Sequence, residues 1–189
     1  MPDFILNLDR HLFYFVNHTL TNPFFDWIMP WMRNPRFWIP LYLFIIVFSI
    51  CRYKKQGLIL VAMLCLAVGF ADFTSASLVK KQVMRLRPCR DEVTSKTVIS
   101  RVPCGLGYSF PSTHATDHFA MATFLCLIFY RRWKWVGIAA IIWAAIICFA
   151  QVYVGVHFPV DVTAGALYGA LVGWLFVLGF RKLTPGFVA

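Results

Sequence analysis

Two histidines, an aspartate and two basic residues stand at positions along the chain where their chemistry could be combined. His157 and Asp161 lie four residues apart in the stretch "FAQVYVGVHFPVDV" (149–162), between long apolar runs. A carboxylate can accept a hydrogen bond from one imidazole nitrogen, which fixes the tautomer and leaves the other nitrogen free to attack. Pro159 suits the first turn of a helix, with His157 just outside it and Asp161 just inside. His157 is therefore a candidate nucleophile oriented by Asp161, and a satisfied interfacial histidine is the alternative.

A second group of candidates lies in "SFPSTH" (109–114), which is typical of a turn followed by a helix start. Ser112 is a candidate N-cap, and the free N–H groups and dipole of a helix start favour an anion. His114, in the first turn, is available as an acid. An ordinary capped helix would also explain this segment taken alone.

Two cations precede these motifs. Lys80, Met84 and Arg87 follow i, i+4, i+7 spacing, which predicts one helical stripe carrying both charges. Pro88 then ends the predicted helix. Such a stripe could hold an anion, or its side chains could extend toward lipid phosphates at a membrane surface.

The composition indicates an integral membrane protein. Of the 189 residues, 60% are apolar and 14% charged, with a mean hydropathy of +0.68. A soluble domain of this size would carry more charge. The net charge of +10 does not indicate nucleic acid as a partner, because the basic residues form short clusters at the ends of apolar runs, as in cytoplasmic loops. These clusters are "RYKK" (52–55), "RRWK" (131–134) and "RK" (181–182).

The apolar runs predict an all-α helical bundle with five membrane spans. The spans lie at about Phe37–Cys51, Gly57–Val79, Thr113–Tyr130, Trp135–Val152 and Asp161–Phe180. The three basic clusters then share the cytoplasmic side, and the loops 80–112 and 153–160 lie outside. Residues 1–35 are too interrupted to span comfortably and suit helices in the outer interface, a strained sixth span being the alternative. The chain therefore divides into these interfacial helices (1–35) and a transmembrane domain (36–189).

This topology brings the candidate residues to one outer face of the membrane, although they are far apart in sequence. Ionisable residues beside spans are costly and are functional candidates for that reason. Cations, a nucleophile with its orienting group and a second histidine as acid form the set that phosphoryl transfer needs. The sequence has no Cys/His or carboxylate cluster with metal-ligand spacing, so we expect chemistry without a metal or another cofactor.

Three ordered motifs resemble those of the type 2 phosphatidic acid phosphatase (PAP2) superfamily. "KKQVMRLRP" contains K-x6-RP, "PSTH" resembles PSGH, and "AQVYVGVHFPVD" resembles SR-x5-H-x3-D. The resemblance implies that His157 forms a phosphohistidine and that Asp161 orients it. It also implies that His114 protonates the leaving oxygen and later activates water. The groups that it assigns to phosphate binding are Lys80, Arg87, Ser112 and the backbone N–H of Thr113.

The chain departs from these motifs at two places. Thr113 stands where the family has Gly, and Ala150–Gln151 stands where it has Ser-Arg. The Gln151 amide can still donate a hydrogen bond to phosphate, but one positive charge is missing. We expect Arg90 or Arg101, both in the same outer loop, to supply it, and contact with lipid head groups is the alternative for both.

Membrane members of this superfamily dephosphorylate lipid phosphates and diphosphates, so the resemblance implies a lipid phosphatase within the bilayer. We expect a multi-pass protein of a bacterial inner membrane whose site faces the periplasm. Undecaprenyl diphosphate is the favoured substrate, because its head group is presented at the outer leaflet. Lipid A and phosphatidylglycerol phosphate are the alternatives. A non-catalytic lipid-phosphate binder or flippase-like protein is the alternative from another class.

The cysteine positions predict one disulfide. Four of the six cysteines, at positions 51, 65, 126 and 148, lie within or at the ends of apolar runs. Cys89 and Cys104 alone lie in the outer loop, where an oxidising periplasm permits a disulfide. Closing a loop of about 15 residues would stabilise the fold by about 3 kcal/mol.

Overall fold

The computed structural model describes residues 3–187, which form seven α-helices and contain no β-strand. In chain order the helices are α1 (Asp3–Tyr14), α2 (Pro23–Met32), α3 (Ile39–Phe73), α4 (Lys80–Val83), α5 (Thr113–Phe129), α6 (Lys134–Tyr153) and α7 (Pro159–Leu183). Wider π-helical turns cover Phe15–Thr19 and Thr74–Val79, and 3₁₀ turns cover Pro35–Trp38 and Thr94–Lys96. The prediction of an all-α membrane bundle is confirmed.

Helix α3 is a hairpin of two arms. Its backbone breaks at Lys54, where φ is 53° and ψ is −123°. The second arm folds back so closely that a Cβ atom on Gly57 would lie 1.9 Å from the carbonyl oxygen of Ser49. A larger residue would separate the arms, which correspond to the predicted spans Phe37–Cys51 and Gly57–Val79.

Helices α5 and α7 are in direct backbone contact. Gly165, Gly169 and Gly173 recur every four residues along α7 and therefore lie on one face. A Cβ atom at Gly169 would lie 2.1 Å from the carbonyl oxygen of Thr116, and one at Gly173 would lie 2.4 Å from that of Ala120. Small residues at this spacing let membrane helices approach closely. The contact sets the start of α5 beside the start of α7.

The outer surface of the bundle is apolar, as a membrane environment requires. Large side chains such as Leu66, Phe70, Trp135 and Leu167 are exposed. Within residues 3–187, three stretches are long and apolar enough to cross a membrane, namely Pro35–Val83, Lys134–Tyr153 and Pro159–Leu183. Because the first stretch contains the α3 hairpin, the architecture, with α5 included, accommodates the five predicted spans.

The basic clusters share one end of the bundle. Arg131, Arg132 and Arg181 line one cavity between the α5–α6 turn and the end of α7. At the α3 hairpin turn, the Tyr53 ring packs on Phe187 with 5.0 Å between ring centroids. The starts of α5 and α7 meet at the opposite end of the bundle. This separation agrees with the topology predicted from the charges.

Helices α1 and α2 cover the outer loop. They contain 12 and 10 residues, which is about 18 and 15 Å of helix, so neither alone crosses the apolar part of a bilayer. Asn17, just after α1, donates to the carbonyl oxygens of Tyr153 (2.8 Å) and Ile99 (3.0 Å). Their short length favours the prediction of interfacial helices, and these bonds build them into the outer-loop end of the bundle.

The segment after α3 differs from the predicted helix. Helix α4 stops before Met84, which adopts a left-handed conformation (φ 50°). Lys80 and Arg87 therefore do not share a helical stripe, and this part of the prediction is wrong. Pro88 restricts only Arg87, the residue before it, so it does not account for the break at Met84.

The predicted disulfide is confirmed. Cys89 and Cys104 are bonded, with 6.1 Å between their Cα atoms, and close a loop over 15 residues. Loop-closure entropy gives about 3 kcal/mol of stabilisation for such a loop. The bond also holds Gly105 against the Arg87 guanidinium, since a Cβ atom on Gly105 would lie 3.3 Å from Arg87 Cζ.

Candidate active site

One cavity of about 620 Å³ opens at the outer-loop end of the bundle. It is lined by five residues singled out from the sequence: Lys80, Arg87, Thr113, His114 and His157. The other polar residues that line it include Arg33, Asp72, Asp117 and His118. Three further candidates are fully buried: Ser112, Gln151 and Asp161. The fold therefore brings together residues that lie far apart in the sequence.

His157 lies in the turn between α6 and α7 and is only 2% exposed. Burial lowers the pKa of His157 to about 4, and the positive charge of Arg87 adds to this effect. The imidazole is therefore neutral near pH 7, which is the nucleophilic form. Its Nε2 atom lies 3.1 Å from Nη1 of Arg87, a contact in which Nε2 is the acceptor and carries the free electron pair.

Ser109 connects His157 to Asp161. The Nδ1 atom of His157 lies 3.7 Å from Oδ2 of Asp161, beyond hydrogen-bond distance. The Ser109 hydroxyl lies 3.2 Å from that Nδ1 and donates to the same Oδ2. Asp161 Oδ2 also accepts the N–H of Phe158 (2.8 Å), which fixes the carboxylate at the start of α7. The pair predicted as a direct contact is therefore bridged by a serine, which lies in the "SFPSTH" stretch but whose bridging role the sequence does not indicate.

Arg87 places a positive charge beside His157. Its Nη1 atom also donates to the carbonyl oxygen of Val156 (3.1 Å). Burial lowers the pKa of Arg87, but a guanidinium titrates so far above neutrality that it keeps its charge. Lys80 lines the same cavity, so the two cations of K-x6-RP face one space although they do not share a helix.

Three polar side chains among the candidate residues are buried without a partner in the described structure, two of them at the start of α5 and one near the end of α6. Ser112 occupies the N-cap position, but within the described chain its side chain makes no capping hydrogen bond. Ser112 Oγ, Thr113 Oγ1 and Gln151 Nε2 all lack a hydrogen-bond partner among residues 3–187. Buried polar groups are ordinarily satisfied, and Thr113, which lines the cavity, could donate to an oxygen of an anion bound there. The site therefore favours anion binding over an ordinary capped helix.

A second set of charges joins α1 to the start of α7. Arg85 donates to Asp161 Oδ1 (2.7 Å) through one Nη atom and to Asp9 Oδ2 through the other. Asp9 is 1% exposed, and its other oxygen accepts the N–H of Val160 (2.9 Å). Burial raises the pKa of Asp9, and the hydrogen bond from Arg85 opposes the rise. Arg85 lies inside the "KKQVMRLRP" stretch, but its link to Asp9 depends on where α1 docks.

The expected auxiliary arginines lie elsewhere. Arg101 donates to the carbonyl oxygen of Tyr153 (2.9 Å) and stacks over that ring at 4.1 Å, and Arg90 is exposed. In the described part of the chain, neither lines the cavity. The expectation that one of them contacts phosphate is therefore not supported. Arg33 does line the cavity, and its Nε donates to Gln151 Oε1 (3.3 Å).

The cavity can hold a phosphoryl group and support its transfer. Lys80 and Arg87 supply positive charge for the phosphate oxygens, and the unpartnered donors can add hydrogen bonds. Neutral His157 is a nucleophile, and His114 lines the same space as a possible acid or base. Such a site at one end of an apolar helical bundle defines an integral-membrane phosphatase.

The family model of the PAP2 superfamily matches residues 56–185, and the chain belongs to this superfamily. The lipid A 4'-phosphatase of Bacteroides thetaiotaomicron is 33% identical over 187 residues, covering 97% of this chain and 82% of that protein. The undecaprenyl-diphosphatase of Sulfolobus acidocaldarius is 33% identical over 141 residues, covering 74% and 62%. The crystal structure of a PAP2-type phosphatidylglycerolphosphate phosphatase from Bacillus subtilis has the same fold, with a TM-score of 0.73 at 23% identity, covering 99% of this chain and 90% of that one. The protein is a membrane lipid phosphatase.

We expect Arg85→Ala to destabilise the protein strongly, because it leaves the buried carboxylates of Asp9 and Asp161 without their shared cation. Breaking a buried ion pair on one side typically costs about 3–5 kcal/mol. Thermal unfolding of the purified protein in detergent measures the effect. Arg90→Ala is the matched control, since Arg90 is exposed. Equal unfolding midpoints for the two variants would show that the network contributes nothing to stability.

Proposed function

We propose that this protein removes the phosphate monoester of a phosphorylated glycolipid of the lipid A class, through a phosphohistidine at His157. The relative named lipid A 4'-phosphatase supports this substrate, because its similarity extends over nearly the whole chain. The relative named for undecaprenyl diphosphate matches a smaller part of the chain. The comparisons thus support lipid A, an alternative in the sequence-based reasoning, better than the favoured undecaprenyl diphosphate.

The polar side chains that line the cavity support a sugar phosphate monoester as substrate over a prenyl diphosphate. Asp72 and Asp117 line the cavity together with Lys80 and His157. A second phosphate would bring more negative charge toward the Asp72 carboxylate, and like charges in a partly desolvated site repel. Sugar hydroxyl and amide groups would instead donate hydrogen bonds to oxygens of Asp72 and Asp117. Asp117 Oδ1 is buried without a partner in the part of the chain that the structure describes, so it can accept such a bond.

In the first step of the proposed reaction, Nε2 of His157 attacks phosphorus, and the bond between phosphorus and the sugar oxygen breaks. His114, which the negative charge of the bound phosphate favours in its protonated form, gives its proton to that oxygen and becomes neutral, so the glycolipid leaves as an alcohol. Lys80, Arg87 and the donors at the start of α5 hold the phosphate oxygens while charge moves toward the leaving group. The product of this step is an Nε2-phosphorylated His157.

In the second step, His114 accepts a proton from water, and the resulting hydroxyl oxygen forms a bond to phosphorus. The bond between phosphorus and Nε2 breaks, which releases inorganic phosphate and restores the electron pair of His157. Ser109 and Asp161 hold the Nδ1 proton throughout. The negative charge of Asp161 also stabilises the imidazole while it carries the phosphoryl group.

We further propose that the site faces the periplasm from a bacterial inner membrane. The basic clusters lie at the opposite end of the bundle, which suits the cytoplasmic side. The disulfide between Cys89 and Cys104 lies in the loop beside the site and suits an oxidising compartment. Helices α1 and α2 would then lie in the outer interface, above head groups that enter from the outer leaflet.

Purified protein in detergent should release phosphate faster from lipid A carrying a 4'-phosphate than from undecaprenyl diphosphate or phosphatidylglycerol phosphate. His157→Ala should lower kcat by about three orders of magnitude or more, because the nucleophile is lost. His11→Ala, at an exposed histidine of α1, is the control and should match the wild type. Fastest turnover of undecaprenyl diphosphate would contradict the substrate proposal, and near-native turnover of His157→Ala would contradict the nucleophile.

The Asp72 carboxylate that lines the cavity predicts a change of specificity in Asp72→Asn. Removing this negative charge should raise kcat/KM for a diphosphate relative to a monoester by about tenfold, since about 1.4 kcal/mol of repulsion in the transition state is relieved. Parallel assays of the two lipids measure the ratio. Asp3→Asn, at an exposed position on α1, should leave it unchanged. An unchanged ratio in Asp72→Asn would mean that this carboxylate does not discriminate between the substrates.

A further inference from the structure

Gln151 stands at the position where the PAP2 motif has an arginine, and its side chain has a specific partner. It lies on α6, is fully buried, and accepts a hydrogen bond from Nε of Arg33 at 3.3 Å. The other amide atom, Nε2, has no partner among residues 3–187. Gln151 replaces the arginine of the motif and at the same time binds the guanidinium of Arg33, which comes from a distant part of the chain.

Arg33 faces the phosphate cavity with its charge unmatched. It lines the same cavity as Lys80, Arg87 and His157. Its charge contributes to lowering the pKa of Arg87, as expected for guanidinium groups near one another. Burial lowers the pKa of Arg33 itself, yet within residues 3–187 it forms no ion pair with a carboxylate. A half-buried cation beside two others is unfavourable unless an anion joins them.

The backbone around Arg33 is fixed by local contacts. Arg33 is the residue at which α2 ends, and its N–H donates to Met29 (3.2 Å). Asn34 caps the following turn by accepting the N–H of Arg36 (3.1 Å). The indole of Trp38 then donates to the carbonyl oxygen of Met32 (2.8 Å). These bonds fix the backbone at Arg33, and the bond from Arg33 Nε to Gln151 positions its side chain beside the cavity.

We propose that Arg33 is the third cation of the phosphate site and replaces the motif arginine that Gln151 lacks, an inference that rests on the phosphatase function proposed for the cavity. The Gln151 amide oxygen fixes Nε, which leaves both Nη groups of Arg33 for the phosphate oxygens. The free Nε2 of Gln151 adds a neutral donor. The N-terminal segment thereby supplies a substrate-binding residue to the site and does more than cover it.

The replacement predicts that an arginine at position 151 can take over when Arg33 is lost. Arg33→Ala should lower kcat/KM by about ten- to a hundredfold, the usual effect of losing a charge-assisted contact. The double variant with Gln151→Arg should recover most of that loss. Arg36→Ala, an exposed arginine three residues away, is the matched control and should keep wild-type activity.

A purely structural role for Arg33 gives a different pattern. If its bond to Gln151 only docks α2, Arg33→Ala should lower the unfolding midpoint, and Gln151→Arg should not restore activity. Arg33→Lys, which keeps the charge and loses the Nε bond, serves as the second variant where Arg33→Ala fails to fold. The inhibition constant of inorganic phosphate is the second readout, and it should rise in Arg33→Ala in parallel with the loss of kcat/KM.

The outcomes separate this inference from the proposed function. Wild-type protein that hydrolyses no lipid phosphate would overturn the proposed function. Wild-type protein that is active while folded Arg33→Ala stays within about twofold of it would overturn only the role of Arg33. Equal losses in Arg33→Ala and in the double variant would also overturn it, because a replacing charge at 151 would then have no effect.

Discussion

The backbone contact between α5 and α7 is the constraint on which the site depends. Glycines at every fourth position of α7 let the two helices touch along their lengths, and Gly165 meets the carbonyl oxygen of Ser112 at the outer end. The Ser112 N–H donates to the carbonyl oxygen of Asp161 (2.9 Å), so the two helix starts are joined directly. The start of α5 and the histidine before α7 are thereby held at one distance from each other. A side chain larger than hydrogen on this face would separate the groups that we propose act on one phosphate.

The N-terminal segment completes a site that the transmembrane helices leave unfinished. Asp9 on α1 shares Arg85 with Asp161, and Arg33 at the end of α2 bonds to Gln151. The predicted boundary at residue 35 is therefore crossed by contacts to the candidate site. Because Arg33 lines the cavity and Asp9 shares Arg85 with Asp161, the docking of the two short helices affects the electrostatics of the pocket.

The fold class, the disulfide and the candidate residues that line the cavity could be predicted from the sequence. The lengths of the apolar runs and the charges at their ends depend on local composition. The motif residues follow residue types and spacings that are visible in one sequence. The sequence does not indicate the end of α4 at Val83, because the i, i+4, i+7 spacing of Lys80 and Arg87 favours one helix and Pro88 restricts only the residue before it. Ser109 lies in the "SFPSTH" stretch, but only the folded loop shows that it bridges His157 and Asp161.

The position of Arg33 beside the cavity could not be predicted from the sequence, for a more general reason. A substitution such as Gln151 shows that a charge is absent from one position, but its replacement can come from any segment that folds nearby. Arg90 and Arg101, the predicted phosphate contacts, lie in one loop. Proximity along the chain does not predict contacts in a bundle where the end of α2 packs on α6. The four-residue spacing of the glycines in α7 does predict close packing against another helix, and this packing places the start of α5 beside the start of α7.

Trapping the phosphoenzyme tests the nucleophilic role of His157 most directly. Protein mixed with a lipid substrate labelled in the phosphate and quenched in base during a single turnover should carry one acid-labile, base-stable phosphate. Peptide mapping should place it on the peptide that contains His157, and His157→Ala should carry no label. A label on His114, or rapid hydrolysis with no labelled protein at any time in the single turnover, would contradict the account.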